Sequence, residues 1–182
     1  MARYTGPKAR INRQLACEVY PASKASEKKA YVPGQHGPRL RRKLTPYSIG
    51  LREKKKLRFC YGIMEGQFRL MFDRAKASKG VTGENLLQLL ETRLDSVVYL
   101  MGFARTRRAA RQFVCHGHIK VNGRKVNIPS FQVQPGAEIE VKERSSSRQL
   151  AASSVEIIHY KGTPDWLTVN PDGLRGHVNR MP

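Results

Sequence analysis

The sequence predicts an α+β fold, with a mostly helical first half and a small antiparallel β-sheet in the second half. Between Thr45 and Val114, apolar residues recur with the 3.6-residue period of a helix. After Gly117 the period changes to two, as in a strand that buries one face. Asn122-Gly123 then lies between two short strand-like segments. This dipeptide is typical of a tight hairpin because both residues tolerate positive φ.

The first 45 residues are predicted to form an extended basic arm that depends on a binding partner for its order. They are rich in Gly, Pro, Ser and Lys. The segment Pro33–Pro38, PGQHGP, is incompatible with a helix or a central strand. A disordered basic tail is the simpler alternative.

Two helices are predicted next. Thr45 is a favourable N-cap and Pro46 a favourable first helical residue, so the first helix should run to about Cys60. The second should run from about Glu65 to Ser78, where a cation and a glycine close it. Helical spacing predicts that its buried stripe consists of Phe68, Met71, Phe72 and Ala75.

Shorter helical segments follow and lead into the strands. Thr82 opens a leucine-rich helix, and Gly102 ends the next one, whose predicted stripe is Leu94, Val97, Val98 and Met101. Thr106 should cap a third helix that buries Ala109, Ala110, Phe113 and Val114. Its opposite face should carry Arg107, Arg108 and Arg111. After the hairpin, a strand is expected to point Ala137, Ile139 and Val141 inward and Glu138, Glu140 and Lys142 outward.

The charge of the chain favours a polyanionic partner. It has 34 Lys and Arg against 14 Asp and Glu, a formal net charge of +20, and this excess repels itself in the folded state. Residues 1–91 carry 20 basic and 7 acidic residues, residues 93–125 carry 8 and 1, and residues 126–182 carry 6 and 6. The basic character therefore ends at Lys125.

A nucleic acid is favoured over a membrane as that partner. No apolar run approaches the ~18 residues of a membrane-spanning helix. No signal segment opens the chain, so the cytoplasm is the expected location. Basic residues also occur on several segments of different character rather than along one amphipathic helix.

Neither a metal site nor an enzyme is predicted. Cys17, Cys60 and Cys115 are odd in number and far apart, which argues against disulfides and structural zinc. Cys115-His116-Gly117-His118 contains possible ligands, but no second cluster completes a set of four. No nucleophile–base motif, phosphate loop or paired carboxylates are found. Asp95 is expected to pair with Arg93 or Arg105 rather than to act as a base. No cofactor is expected.

Residues 93–130, RLDSVVYLMGFARTRRAARQFVCHGHIKVNGRKVNIPS, resemble the S4 RNA-binding domain. That domain occurs in several kinds of protein, but the flanking segments are more specific. They resemble the bacterial-type uS4 family of small-subunit ribosomal proteins at ARYTGPK (2–8), PGQHG (33–37), LREKKKLRFCYGIMEGQF (51–68) and KGVTGENLLQLLETRLD (79–95). The similarity weakens between Glu143 and Thr163 and returns at PDWLTVNPDGLRGHVNRMP.

The resemblance implies a specific domain organisation. A helical N-terminal domain with the basic arm would occupy residues 1–91. An S4-type (αL) RNA-binding domain with two short helices and a small antiparallel sheet would occupy 92–145. Residues 146–182 would be a linker and a C-terminal segment that returns to the helical domain.

The resemblance also implies a structural, non-enzymatic constituent of the small ribosomal subunit. The family binds the 5′ domain of 16S rRNA, nucleates assembly and contributes to translational accuracy. Its implied partners are that rRNA, neighbouring proteins including uS5, and messenger RNA where it enters the subunit. Some members also repress their own messenger RNA.

Three departures from the family pattern qualify the resemblance. The four N-terminal cysteines with which many relatives bind zinc are missing, so a zinc-free form is expected. The segment SSSRQLAASS looks shorter and more polar than the usual helix there. The chain ends at Pro182, where the family usually continues, so either the chain is truncated or the interface of that tail is missing.

Folded rRNA is recognised mainly through its shape, phosphates and 2′-hydroxyls, which suits Arg and Lys. Gln35 is a possible extra hydrogen-bonding residue, and Tyr4 and Tyr47 are candidates for base stacking, with buried packing at least as probable for Tyr47. The residues predicted to bind rRNA are Arg3, Lys8, Arg10, Arg13, His36, Arg41, Arg42, Lys43, Arg52, Lys54, Lys55, Lys56, Arg58, Arg105, Arg107, Arg108, Arg111, Lys120, Arg124 and Lys125.

Other functions remain open from the sequence. A stand-alone RNA-binding factor outside the mature ribosome would contain the same S4-type domain. A helix-turn-helix DNA-binding protein would also have two short helices separated by glycine, but the hairpin and the basic arm fit it poorly. A third alternative is that the arginine-rich helix merely presents a solvated face.

Overall fold

A computed structural model describes residues 4–21, 23–39, 45–158 and 162–182. Within it, the chain divides into two compact units, Met1–Leu70 and Met71–Pro182. The first unit is helical and the second combines helices with an antiparallel sheet, which confirms the predicted α+β class.

The first unit contains α1 (Lys8–Leu15), α2 (Lys24–Lys28), a 3-10 turn (Gly37–Arg39) and α3 (Pro46–Cys60). The prediction of an extended arm is therefore wrong for α1 and α2. Ile11 and Leu15 lie one turn apart on α1 and pack with Phe59 of α3 in a small apolar cluster. Asn12 fixes the chain after α1, because its side chain donates to the carbonyl of Tyr20 (2.7 Å) and accepts from the amide of Tyr20 (3.0 Å).

The helix α3 begins and ends as predicted. The hydroxyl of Thr45 accepts from the amide of Ser48 (3.2 Å), and the hydroxyl of Ser48 lies 3.1 Å from the amide of Thr45. This reciprocal cap occupies two of the amides that a helix start leaves without partners.

The helix α4 (Glu65–Ala77) buries only part of its predicted stripe. Phe68, Met71 and Ala75 are buried as expected, but Phe72 is 43% exposed. On a helical projection, Phe72 lies at the edge of the stripe that the other three define, which explains why its ring faces outward.

The second unit continues with α5 (Thr82–Glu91), α6 (Leu94–Leu100) and α7 (Arg107–Cys115). Leu94, Val97, Val98 and Met101 are all buried, which confirms the predicted stripe. The strands are β1 (Ile119–Val121), β2 (Arg124–Lys125), β3 (Glu138–Val141), β4 (Leu167–Asn170) and β5 (Arg175–Val178), and a helix, α8 (Ser145–Ile158), precedes β4.

These strands form one antiparallel sheet in the order β2-β1-β3-β5-β4. Asn122 and Gly123 have φ of 49° and 75°, so the β1–β2 connection is the tight hairpin that the sequence predicts. Ala137, Ile139 and Val141 are buried, also as predicted. They share the core with α6, α7 and residues such as Trp166 and Val178 near the C-terminus.

The C-terminal segment is not the linker, returning to the helical domain, that was predicted for residues 146–182. Residues 145–158 form a 14-residue helix, α8. The hairpin β4–β5 then joins the sheet, where Ile139 of β3 pairs with Gly176 of β5. Residues 167–178 therefore complete the sheet of the second unit, because Leu167 and Val178 are buried in its core.

Candidate nucleic-acid interface

The helix α7 is held with one face in the core of the second unit. The hydroxyl of Thr106 accepts from the amide of Ala109 (3.1 Å), the predicted cap. Ala110, Phe113 and Val114 are buried. Ala109 was expected to face inward with them but is exposed, since it lies beside the cap at the edge of the buried stripe. One face of α7 is therefore fixed in the core, which limits the positions that its three arginines can take.

A buried carboxylate of α6 ties that helix to α7. The Asp95 carboxylate accepts from Arg93 at 3.0 Å (Nε to Oδ1) and 2.7 Å (Nη2 to Oδ2), and both side chains are 5% exposed. Arg111 Nη1 lies 3.3 Å from Oδ2 of the same carboxylate. The predicted Arg93–Asp95 pair is thus confirmed, and the second arginine at this carboxylate is Arg111 rather than Arg105.

A second acid also engages α7. Arg107 Nη2 lies 3.6 Å from Oε1 of Glu91, and its guanidinium carbon lies 4.8 Å from the centre of the Tyr99 ring. The Arg107 and Arg111 side chains are only 20% and 21% exposed. Neighbouring helices supply counter-ions to both residues, so the arginine face predicted for α7 is mostly covered at Arg107 and Arg111.

Two of the three cations of the hairpin lie on the face of the sheet away from the core. Lys120 is the cross-strand partner of Lys125 on β2 and of Glu140 on β3, so the three side chains share that face. Lys120 Nζ lies 3.6 Å from Glu140 Oε1, and Arg175 approaches the same carboxylate at 3.7 Å. Glu140 was predicted to point outward. It does, but its side chain is only 15% exposed because the two cations cover it.

Three of the five cations of α3 form ion pairs. Lys54 and Arg58 both pair with Glu65, and the Arg58 contact measures 2.9 Å. These two cations lower the pKa of the Glu65 carboxyl, with the hydrogen bond from Lys54 as the largest cause. Lys56 pairs with Glu53, one turn earlier, at 2.6 Å. Arg52 and Lys55 form no ion pair with any described residue.

The predicted rRNA-binding residues near the N-terminus differ in their surroundings. Arg13 Nε donates to the carbonyl of Tyr31 (2.9 Å) and the guanidinium lies over the Tyr31 ring, so Arg13 joins two segments of the first unit. Lys8, Arg10 and His36 are exposed. Outside the described residues are Arg3, Arg41, Arg42 and Lys43.

The two tyrosines considered for stacking differ. Tyr4 contacts Phe59 edge to face, with ring centres 5.3 Å apart, so it packs inside the first unit. Tyr47 is 80% exposed, which leaves its ring available to a partner and contradicts buried packing.

The second-unit candidates therefore lie on α7, the loop before it and the β1–β2 hairpin. The first-unit candidates that it describes lie on α1, α3 and the 3-10 turn region. Within the described ranges, the predicted cations with no ion pair are Lys8, Arg10, Arg52, Lys55, Arg105, Arg124 and Lys125.

No cluster of three or more Cys, His, Asp or Glu among the described residues is arranged to hold a metal ion. In the same part of the chain, no helix combines the length and apolar character needed to cross a bilayer.

Comparison with known proteins identifies the family. Residues 3–91 match the model described as ribosomal protein S4/S9 N-terminal domain, and residues 92–139 match the S4 domain. Proteins named small ribosomal subunit protein uS4 are 55% identical in Opitutus terrae, 50% in Geobacillus thermodenitrificans and 48% in Lysinibacillus sphaericus. Each alignment covers all of this chain and 90% of the relative. The chain therefore belongs to the uS4 family of small ribosomal subunit proteins, a family of structural rather than enzymatic proteins.

Proposed function

We propose that this protein is a structural component of the small ribosomal subunit that binds the 5′ domain of 16S rRNA. The observation that carries the proposal is the basic surface formed by α7, the loop before it and the β1–β2 hairpin. Its apolar side is anchored in the core, so its cations keep a fixed spacing. Such a surface suits the phosphates of a folded RNA, which are recognised by position and shape.

The candidate cations have different proposed roles in rRNA binding. Arg105, Arg124 and Lys125 are exposed and have no described ion pair, so they contact phosphates directly. Arg107, Arg111 and Lys120 each have an acidic neighbour, which fixes the direction of the side chain while leaving 20 to 28% of it exposed. For Arg107 and Lys120, exchange of the acidic partner for a phosphate costs little, since ion pairs near the surface contribute only about 0–1 kcal/mol. Arg111 keeps its contact with the buried Asp95 and reaches the RNA through its exposed part.

The remaining predicted contacts extend the same proposal. In the first unit, Lys8, Arg10, Arg52 and Lys55 contact the rRNA backbone, with His36 as a hydrogen-bonding residue. Arg13, Lys54, Lys56 and Arg58 contribute through the sides of their charged groups that their present partners leave exposed.

In the subunit, the protein nucleates assembly of the 5′ domain and contributes to translational accuracy through uS5 and the incoming messenger RNA. Its location is the cytoplasm. Membership of the uS4 family supports these roles.

A binding titration at several salt concentrations tests the rRNA interaction. If about 8 phosphates are neutralised, a plot of log K against log[salt] for a 5′-domain fragment should have a slope of about −6 to −7. A slope shallower than about −3 would show that the charge of the protein is not used on phosphates.

Sucrose-gradient sedimentation separates the two ribonucleoprotein alternatives. A subunit component should sediment with small subunits and remain there after a wash with moderate salt. A stand-alone RNA-binding factor should instead remain near the top of the gradient in mature-ribosome preparations.

A further inference from the structure

A second group of basic side chains lies at the opposite end of α7 from Thr106. It consists of His116 at the end of α7, His118 before β1, and Lys142 and Arg144 between β3 and α8. We refer to these four residues as the His118 cluster. The His118 cluster could not be predicted from the sequence, because residues 126–182 have no net charge and its four members are separated along the chain.

The main chain holds His118 and Lys142 side by side. The amide of Lys142 donates to the carbonyl of His118 (2.8 Å), which extends the β1–β3 pairing by one residue. The His118 ring stacks on Phe113 with centres 4.8 Å apart, and its centre lies 6.0 Å from that of the His116 ring. Ser147 of α8 lies 2.8 Å from Nδ1 of His118. The ring is therefore fixed on one face and one edge.

The charged side chains that act on this ring are basic. Among the described residues, Nε2 of His118 has no hydrogen-bond partner, and neither Lys142 nor Arg144 forms an ion pair. Glu143 lies between these two cations in the chain but is exposed and pairs with neither. Burial lowers the pKa of His118, and the charges of His116, Arg144 and Lys142 lower it further. Within the described part of the chain, no acid is among the groups that shift this pKa.

Lys125 extends the group from the hairpin. Its side chain lies over Gly117, where an added Cβ would come 3.1 Å from Nζ. Gly117 also has a φ of 70°, which a residue with a side chain rarely adopts. The glycine thus lets the lysine approach the chain between the two histidines.

We propose that the His118 cluster binds a phosphate of the RNA backbone, separately from the arginines of α7, and that His118 takes up a proton from solvent when it does so. This inference rests on the proposed function, because the polyanion that it names is RNA. Lys142 and Arg144 supply charge-assisted donors. Protonated His118 is a donor at both ring nitrogens, so Nδ1 can donate to Ser147 while Nε2 donates to the phosphate.

Thermodynamic linkage gives the sign of the pH effect. In the free protein, the neighbouring cations oppose protonation of His118. A bound phosphate offsets them, so the pKa of His118 is higher in the complex than in the free protein. A group that binds more protons in the complex makes binding tighter as pH falls. For a single proton the gain is at most about tenfold per pH unit.

A pair of charge-matched variants of the full chain tests the site. In K142Q/R144Q, the slope of log K against log[salt] for the 5′-domain fragment should become shallower by about 1.5 to 2 units. The control is K76Q/K79Q, which removes two exposed cations of the same unit that have no assigned role. Its slope should stay within about 0.5 of the parent. Equal slopes for the two variants would overturn the proposal.

Nuclear magnetic resonance of the His118 ring locates the phosphate directly. We expect His118 to titrate at higher pH with the rRNA fragment than without it, and K142Q/R144Q to lose most of that rise. If the protein binds the fragment but His118 titrates at the same pH with and without it, the phosphate site at the His118 cluster would be overturned. The proposed function would stand. If the fragment does not bind but a short oligouridylate raises the titration midpoint of His118, the site stands and the 5′-domain assignment fails.

Discussion

The buried Asp95 carboxylate is expected to contribute strongly to stability. It accepts two hydrogen bonds from Arg93 and one from Arg111, and its side chain is 5% exposed. In Asp95→Asn, the charge of Arg93 would remain buried without its counter-ion. Loss of one member of a buried pair typically costs about 3–5 kcal/mol, so we expect a decrease of that size in the free energy of unfolding.

Urea unfolding followed by fluorescence measures this effect in the second unit. Trp166 is the single tryptophan and is buried in the core that contains Leu94 and Val98. The matched control is Glu138→Gln, because Glu138 is 52% exposed and lies 4.0 Å from Arg175. It should change the free energy of unfolding by less than about 1 kcal/mol. Similar values for the two variants would show that burial does not strengthen the role of Asp95.

His118 should make the free protein less stable in mild acid. Burial and neighbouring cations lower its folded-state pKa from the ordinary value of 6.5, so the unfolded chain binds more protons below that pH. The free energy of unfolding should therefore fall as pH drops from about 6.5 toward the folded-state pKa. Asparagine keeps a polar group near Ser147, so His118→Asn should show a smaller loss between about pH 7.5 and 5.5. Parallel pH profiles for parent and variant would contradict this prediction.

The loop before α7 and the β1–β2 hairpin should contribute to RNA binding without contributing to stability. Arg105, Arg124 and Lys125 are exposed and have no ion pair among the described residues. We expect R105Q/R124Q/K125Q to flatten the salt slope of rRNA binding by roughly 2 to 3 units. Its unfolding midpoint in urea should match that of the parent.

The control for this variant is R74Q/K76Q/K79Q, which removes three exposed cations at the end of α4 and after it. Filter binding at several salt concentrations should give it a slope close to that of the parent. If both triple variants flatten the slope equally, the interaction depends on net charge rather than on the surface of α7 and the hairpin.

The helices were predictable where apolar residues form the buried stripe. The bounds of α3 and α4 and the cap of α7 follow closely from periodicity and capping residues. The helix α8 was missed because its fully buried positions include Ser147 and Ala151, whereas Leu150 and Ile157 are exposed. Small residues pack closely without a strong apolar signal, so their period is difficult to detect.

Strands β4 and β5 were missed for a related reason. The inward-facing residues of β5 are Gly176 and Val178, and glycine does not register as an apolar position. A Cβ at Gly176 would lie 2.6 Å from the sulfur of Met101, so the absence of a side chain permits the close approach of α6 to the sheet. The turn signal PDG at 171–173 was the available indication of a hairpin.

The cations of the candidate site could be identified from the sequence, but their partners could not. Glu91 is 16 residues from Arg107, and Glu140 is 20 residues from Lys120. These pairs come from the approach of the end of α5 to α7 and from the β1–β3 register, neither of which follows from local periodicity. The positions of the acids determine which cations already form ion pairs. Composition alone therefore predicts that the surface is positively charged, but not where the unpaired cations lie.

The net charge of +20 should make salt act in opposite directions on folding and on binding. Salt screens the repulsion among the excess cations, so the melting temperature of the free chain should rise by roughly 2–5 °C between about 0.05 and 0.5 M NaCl. Over the same range, the affinity for RNA should fall steeply because counter-ions compete for the phosphates.

Differential scanning calorimetry and filter binding, performed in the same buffers, measure the two effects. A melting temperature that falls with salt would show that ion pairs, such as those of Glu65 and Glu140, stabilise the free chain more than like-charge repulsion destabilises it. In that case, RNA would not be needed to relieve the repulsion.

The strand order has a consequence for synthesis of the protein. In the nascent chain, β1, β2 and β3 are complete at Val141, but β5, the other neighbour of β3, begins only at Arg175. At about 5–20 residues per second, the translating ribosome needs roughly two to seven seconds to supply that gap. During this interval β3 is an unpaired edge that can recruit strands from other chains. Residues of α7 and the β1–β2 hairpin have already been synthesised by then. RNA that binds their basic surface can therefore keep nascent chains apart until the β4–β5 hairpin pairs with β3.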